Sequence, residues 1–405
     1  MTMTDIAAPV APQHAPLTRD VLGALAAADL ALATATGLDL PLPHETAAVT
    51  PEWLTQTIGA DVPGAEVVST HVDDEHTGMT DRLRLGITWN EAGAAAGLPT
   101  MVFVKATPEH PVHRMMLSVL HMAELEATFY RVAQPDVPAL APRAYHAESY
   151  PGGRFLIVTE DLATKGCQPF WLKDACTPEH ALAVARTLAQ VHATFWDSPR
   201  FDTDLSWVRP RTQRLGWPFL CQSLGQTREI YLASEAGQSL APDAQAVIAA
   251  WAQHQGAVFD YWETLPKTLL HGDSHFGNTY ATSDGGAGYF DWQVIFRGYG
   301  VRDLVYFLTS ALSADQYRAQ GAEILDTYVA TLAEHGVTID REEADLHFGL
   351  FALDSLDASM ATLAQGTYNH DLAVSQRGLE CALAILADHG VADQIESIAR
   401  TGSPR

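Results

Sequence analysis

Hydrophobic and polar positions alternate along Asp81–Trp89, where Arg82, Arg84 and Gly86 interleave with Leu83, Leu85 and Ile87. That is the period-two signature of a half-buried strand. Glu66–Val72, Met101–Ala106 and residues 142–149 and 154–160 read as four more strands, with turns over 73–80 and at Pro151-Gly152-Gly153. Met115, Val119, Met122, Leu125 and Phe129 recur at helical spacing and predict one continuous helix over 111–133. The pattern is thus a five-stranded antiparallel lobe with a single main helix after its third strand. Beyond Leu162 the spacing becomes helical over 178–196, 226–238, 240–264, 299–312, 314–336, 341–365 and 370–388, and only 268–293 is rich in strands. The expected fold class is α+β, with a smaller sheet lobe before a larger, mainly helical one. The expected domains are a tail and helical extension over 1–60 (helix near 18–36), a first lobe over 61–162 and a second over 163–405.

Composition narrows the function. The 405 residues are 47% hydrophobic and 18% charged, enough apolar material for a large core. A net charge of −25 argues against a protein that coats nucleic acid or anionic lipid, since both need basic patches. Lysine is scarce, at positions 105, 165, 173 and 267 alone. The cysteines form no CxxC pair, there is no basic-then-apolar leader, and Asp29 and Asp39 interrupt the apolar stretch at 21–42. The expectation is a cytoplasmic protein with neither a nucleic-acid partner nor a membrane span.

The residues richest in chemistry are His271-Gly272-Asp273-Ser274-His275-Phe276-Gly277-Asn278, followed by a turn at 283–288 and then Phe290-Asp291-Trp292-Gln293. A hairpin over this stretch puts Asn278, before its outgoing strand, and Asp291, after its returning strand, at the same end. An amide oxygen and a carboxylate there suit octahedral Mg²⁺, completed by water and phosphate oxygens. Asp273, on the loop leading in, could accept a proton from a hydroxyl held against a metal-bound phosphate.

This run resembles the catalytic loop of the aminoglycoside, choline and ecdysteroid kinases, small-molecule relatives of protein kinases. The match is closest to the bacterial ecdysteroid-kinase-like branch. His271, Gly272, Asp273, His275 and Asn278 fall on the family's H-G-D-x-H-x-x-N pattern, and Asp291 falls on its later metal-binding aspartate. The resemblance implies a bilobal protein-kinase-like fold and ATP-dependent transfer of the γ-phosphoryl group to the hydroxyl of a small organic substrate, with Mg²⁺. It implies Asp273 as catalytic base, with His271 and His275 beside it; His275 either touches the γ-phosphate or braces the loop. Lys105, ending the third strand, would contact the phosphates and be held by Glu126 in a Glu-x-x-Phe-Tyr helix motif, with Glu124 as rival partner. The 73–80 turn would cover the phosphates, helped by Thr77 or Thr80. Glu160, Asp161 and Leu162 would form the linker beside the nucleotide base, or Glu160 and Asp161 would cap the next turn. Asp303 would be structural, braced on the catalytic loop.

The substrate is less legible. Phe170, Trp171, Phe195, Trp196, Phe201, Trp207, Trp217 and Phe219 are either core or the lining of a pocket for an apolar alcohol. Asp354 and Asp357 are either a solvated acidic face or a site for a cationic amine. A catalytically silent, ligand-binding pseudokinase is the alternative, but it predicts a missing Lys, Asp or Asn, and all three are present. A metal phosphoesterase lacks its upstream and downstream motifs, a serine hydrolase lacks the Gly-x-Ser-x-Gly elbow, and a protein kinase lacks His-Arg-Asp and Asp-Phe-Gly.

Overall fold

The computed structural model describes residues 45–405 apart from 109, 151, 215 and 367–371. The helix expected over 18–36, and Pro151 of the expected turn, lie outside the described residues. The chain divides into two compact units. One comprises the residues up to Cys167 with Asp291–Val294, and the other comprises Gln168–Phe290 with Ile295–Arg405.

In the first unit, α1 (Pro51–Thr57) starts at Thr50, whose hydroxyl accepts the Trp53 N–H at 3.2 Å. It is followed by β1 (Val67–Thr77), β2 (Asp81–Trp89), α2 (Glu91–Ala95) and β3 (Met101–Ala106), then α3 (Pro111–Val119), α4 (Met122–Thr128), β4 (Ala144–Tyr150) and β5 (Arg154–Glu160). The sheet order is β1-β2-β3-β5-β4, antiparallel throughout. The alternation read from sequence is the burial pattern observed: Leu83, Leu85, Ile87 and Trp89 join Leu54, Val102, Val104, Leu156 and Val158 in one core. Each large aliphatic side chain buried there contributes roughly 1.5–3 kcal/mol.

Two elements depart from expectation. β1 runs on to Thr77, pairing Glu75 with Leu83 and Thr77 with Asp81, so the turn shrinks to Gly78–Thr80. The polar run Asp73–His76 had the composition of a turn because this edge strand is exposed along most of its length. The long helix is broken at His121, a non-glycine residue with φ 56°, which ends α3 and restarts the chain as α4. Its hydrophobic spacing persists across the break, so periodicity alone could not reveal it.

The second unit opens with β6 (Gln168–Pro169) and α5 (Pro178–Phe195), continues through α6 (Trp217–Ala233), α7 (Glu235–Gln238) and α8 (Pro242–Trp262), and then enters β7 (Thr268–Leu270), β8 (Thr279–Ala281), β9 (Ala287–Tyr289) and β10 (Phe296–Gly298). α9 (Val301–Ala311), α10 (Ala314–Glu334), α11 (Arg341–Gln365), α12 (Leu372–Asp388) and α13 (Val391–Thr401) complete it. α6 starts before the expected 226 because Pro218 sits in its first turn, where a missing N–H costs nothing. Among the described residues no helix is long and apolar enough to cross a membrane.

The carboxylates of α11 form neither a solvated face nor an open cation site. Asp357 accepts Arg228 Nε at 2.8 Å, Arg228 Nη2 at 2.6 Å and Trp251 Nε1 at 2.9 Å. Asp354 is shared by Arg211 and Arg302. The aromatics of 168–220 divide: Phe195 and Phe201 are core, Phe170 stacks on Phe276, and Trp171 and Phe219 stand exposed.

Two buried histidines of this unit set its acid tolerance. Burial lowers the pKa of both His180 and His347 to about 4. His180 Nε2 lies 3.0 Å from Thr279 Oγ1, and His347 Nε2 lies 2.7 Å from the Tyr261 hydroxyl. The unfolded chain takes up these protons near pH 6.5, before the folded one does, so the stabilisation is complete above that pH and is lost as pH falls toward 4. The expected slope is up to about 1.4 kcal/mol per pH unit for each histidine. Denaturant unfolding between pH 7 and pH 4 measures it, and His180→Gln should flatten the curve. An unchanged slope in that variant would remove His180 from the account.

Candidate active site

β7 pairs with β10, Leu270 opposite Phe296, and delivers the chain into the loop at His271. His271 is fully buried, and both of its ring nitrogens meet backbone. The Asp273 N–H donates to Nδ1 at 3.3 Å, and Nε2 lies 2.9 Å from the Phe290 carbonyl. A backbone N–H can only donate and a carbonyl can only accept, so the ring is neutral with its proton on Nε2. Such a ring braces the loop and has no nitrogen left for proton transfer. Gly272 follows at φ 81°, a conformation that costs an L side chain about 1–2 kcal/mol.

The loop is anchored from below by the first turn of α9. The Asp303 carboxylate, fully buried, accepts the N–H of His271 at 2.6 Å and that of Gly272 at 3.3 Å, while Ser274 Oγ donates to the Asp303 carbonyl at 2.8 Å. Arg302 Nη1 bonds the Gly272 carbonyl at 2.7 Å and Asp303 Oδ1 at 2.9 Å. Burial works to raise the Asp303 pKa, but the nearby His192 ring and the Arg302 guanidinium outweigh it and hold the carboxyl far below the usual range. Asp303 therefore serves as the structural brace that its position suggested.

These anchors present Asp273 at the surface of the unit, with its side chain about a quarter exposed. Tyr306, one turn along α9, lies near enough to feel the Asp273 charge. Burial and the Asp273 charge both raise the Tyr306 pKa, so this hydroxyl stays a donor. Arg302 Cζ lies 4.4 Å from the Tyr306 ring centroid. His275 Nε2 is 3.7 Å from Asp273 Oδ2, beyond a hydrogen bond. The β8–β9 hairpin then closes, and the Phe290 N–H donates to the Asn278 carbonyl at 3.1 Å. Asn278 Nδ2 donates to the Asp273 carbonyl at 2.8 Å, leaving Oδ1 as the amide's acceptor atom.

In the first unit, Lys105 is buried on β3. Its Nζ lies 2.6 Å from Glu126 Oε2 and 2.5 Å from Asp291 Oδ1. Glu126 is the partner: Glu124 is exposed and bonds His121 instead. Burial and the Asp291 carboxylate raise the Glu126 pKa against the pull of Lys105. Asp291 has φ 66°, a strained value that aspartate tolerates better than most residues, and Trp292 stacks on Phe129 at 4.1 Å.

The remaining expected contacts are turned toward structural partners. Thr80 is buried, with Oγ1 accepting Arg82 Nε at 3.0 Å. His113 Nδ1 lies 2.6 Å from the Gly78 carbonyl and so braces the turn. Asp161 accepts Arg84 Nε at 2.7 Å and the Thr164 N–H at 2.9 Å, the capping alternative for this residue. Glu160 is ion-paired with Lys165, and the Leu162 carbonyl accepts the Cys167 N–H at 3.0 Å.

Residues 79–340 match the ecdysteroid kinase-like family. The chain belongs to that family. It is accordingly a kinase-type phosphotransferase acting on a hydroxyl group. No curated protein matches it. Among solved structures it is similar to a choline/ethanolamine kinase family protein from Mesorhizobium loti, at 13% identity and TM-score 0.49, over 84% of this chain and 94% of that one. It is also similar to choline kinase LicA from Streptococcus pneumoniae (12%, TM-score 0.45, 83% and 98%) and to aminoglycoside 2'-phosphotransferase-IIIa (13%, TM-score 0.48, 84% and 99%).

Tyr306 and Arg302 are the site residues that sequence reasoning missed. Both lie in the Val301–Leu308 run around Asp303. The available signal was spacing, since Arg302 adjoins Asp303 and Tyr306 stands one helical turn after it.

Proposed function

We propose that this kinase-like protein transfers the γ-phosphoryl group of ATP to a hydroxyl of a small organic acceptor, with Asp273 as the base that receives the hydroxyl proton. The observation that carries the reading is the firm presentation of Asp273: four hydrogen bonds tie its loop to Asp303 and Arg302, while its own carboxylate stays accessible. Pre-organisation of that kind is what phosphoryl transfer asks of a protein.

In this reading Lys105, oriented by Glu126, holds the nucleotide phosphates. Tyr306 faces the Asp273 charge with a protonated hydroxyl, and His271 positions the loop. The first unit would hold the nucleotide, with Glu160–Leu162 contributing backbone groups only. Among the described residues no group of three or more His, Cys, Asp or Glu is gathered around a metal position. The donor set fits magnesium nonetheless: Asn278 Oδ1 and the Asp291 carboxylate are oxygen ligands, few in number, as suits an ion that keeps water and phosphate oxygens. When bound, magnesium supplies charge neutralisation at the phosphates.

The melting temperature with and without Mg·ATP tests the reading. Nucleotide at about 100 times its dissociation constant should stabilise the wild type by roughly 2.7 kcal/mol. Asp291→Asn, which tolerates the same backbone conformation, should lose the metal-dependent part. No rise at millimolar nucleotide would reject the ATP assignment. Lys105→Met should lower kcat/KM by about 10²-fold or more, by analogy with removal of one pre-organised donor at a developing charge. Turnover within a few-fold of wild type, in a variant that still melts cooperatively, would remove Lys105 from phosphate binding.

A further inference from the structure

A protein of net charge −25 gathers Arg209, Arg211, Arg214, Arg297 and Arg302 on two adjoining segments, where the Arg297 N–H bonds the Arg209 carbonyl at 2.9 Å. Three of these guanidiniums surround one ring: the Cζ atoms of Arg211, Arg302 and Arg214 lie 4.8, 5.4 and 5.7 Å from the centroid of Phe296. Arg211 and Arg302 share Asp354, and Arg302 also holds Asp303. Arg214 has no carboxylate partner among the described residues. Burial, then Arg211 and Arg302, push its pKa down to about 10. Close by, Arg211 and Trp262 line a narrow cavity with room for about one water-sized group, and the Trp262 indole N–H is buried with no partner among the described residues. The cluster adjoins the catalytic loop. Phe296 pairs with Leu270, and Arg302 both bonds the Gly272 carbonyl and packs on the Tyr306 ring.

Arg214 is half-buried, so a guanidinium with no carboxylate partner among the described residues keeps donors accessible to an anionic ligand. We propose that Arg214 is the anchor for an anionic group, a carboxylate or phosphate, on the acceptor, which makes the acceptor a hydroxylated acid. The inference rests on the kinase reading for the acceptor's role, while the anion site itself stands on the arginine cluster. The carboxylates of α11 point the same way: Asp354 and Asp357 are occupied by arginines and offer a cationic amine nothing.

The test is calorimetric titration of the full chain with glycolate, methyl phosphate and choline, with and without Mg²⁺ and a non-hydrolysable ATP analogue, for the wild type, Arg214→Met and Arg214→Lys. Saturable binding of glycolate identifies a carboxylate acceptor, and of methyl phosphate a phosphorylated one. Either should weaken at least about tenfold in Arg214→Met and less in Arg214→Lys. The melting temperature of Arg214→Met should equal or exceed that of the wild type, because a charge without a protein partner is removed. Failure of both anions to bind the wild type, undiminished binding by Arg214→Met, a clearly lower melting temperature for it, or choline binding in their place would each overturn the proposal. Anion binding without nucleotide binding would instead reject the kinase reading and leave the anion site standing.

Discussion

Asp273→Asn is expected to abolish phosphoryl transfer while leaving Mg·ATP binding intact. The substitution is nearly isosteric, and the loop's anchors lie elsewhere, at Asp303 and Arg302, so the local fold should survive. What is lost is the basic oxygen, and general-base contributions are typically 10²–10⁴-fold. Steady-state ADP release over a panel of hydroxylated compounds measures the loss, and the thermal shift with Mg·ATP serves as the control. A variant that turns over like the wild type would show that Asp273 is not the base. Loss of nucleotide binding together with turnover would place Asp273 in the phosphate site instead.

The largest stability effect is expected at Asp303. Its carboxylate is fully buried, accepts two consecutive backbone N–H groups, faces Arg302 at 2.9 Å and lies 3.6 Å from His192 Nε2. Asp303→Ala strands a buried guanidinium with Asp354 as its remaining carboxylate and leaves two N–H groups unsatisfied. Breaking a buried pair from one side costs about 3–5 kcal/mol. Asp303→Asn, which keeps an acceptor oxygen but not the charge, should fall between wild type and alanine. Denaturant midpoints for the three proteins check the order. A loss below about 1 kcal/mol in the alanine variant would mean that the loop holds its shape without this anchor. Since Asp303 acts through the loop, turnover should fall alongside stability, in contrast with Asp273→Asn, where turnover falls alone.

The sequence by itself determined the elements whose signal is local. The alternation in β2 follows from one face of the strand being buried, and the spacing of α11 follows from a helix packed on one side, so both were legible at their true positions. The order of the loop residues was legible for the same reason. Gly272 takes φ 81°, which glycine adopts without strain, and Asn278 directly precedes the β8–β9 hairpin.

Only the tertiary structure decided matters that depend on residues distant in sequence. The choice of Glu126 over Glu124 needed the position of Lys105 on β3, twenty-one residues earlier. The break at His121 left the apolar period intact and so left no trace in it. The acidity of α11 looked like a solvated surface until Arg211, Arg228 and Arg302 were seen to neutralise it, and a residue's charge does not report whether its counter-ion lies 52 or 143 residues away. Arg214 is the extreme case. Its sequence context is ordinary, and it becomes informative only because folding packs it, half-buried, beside two other arginines around Phe296.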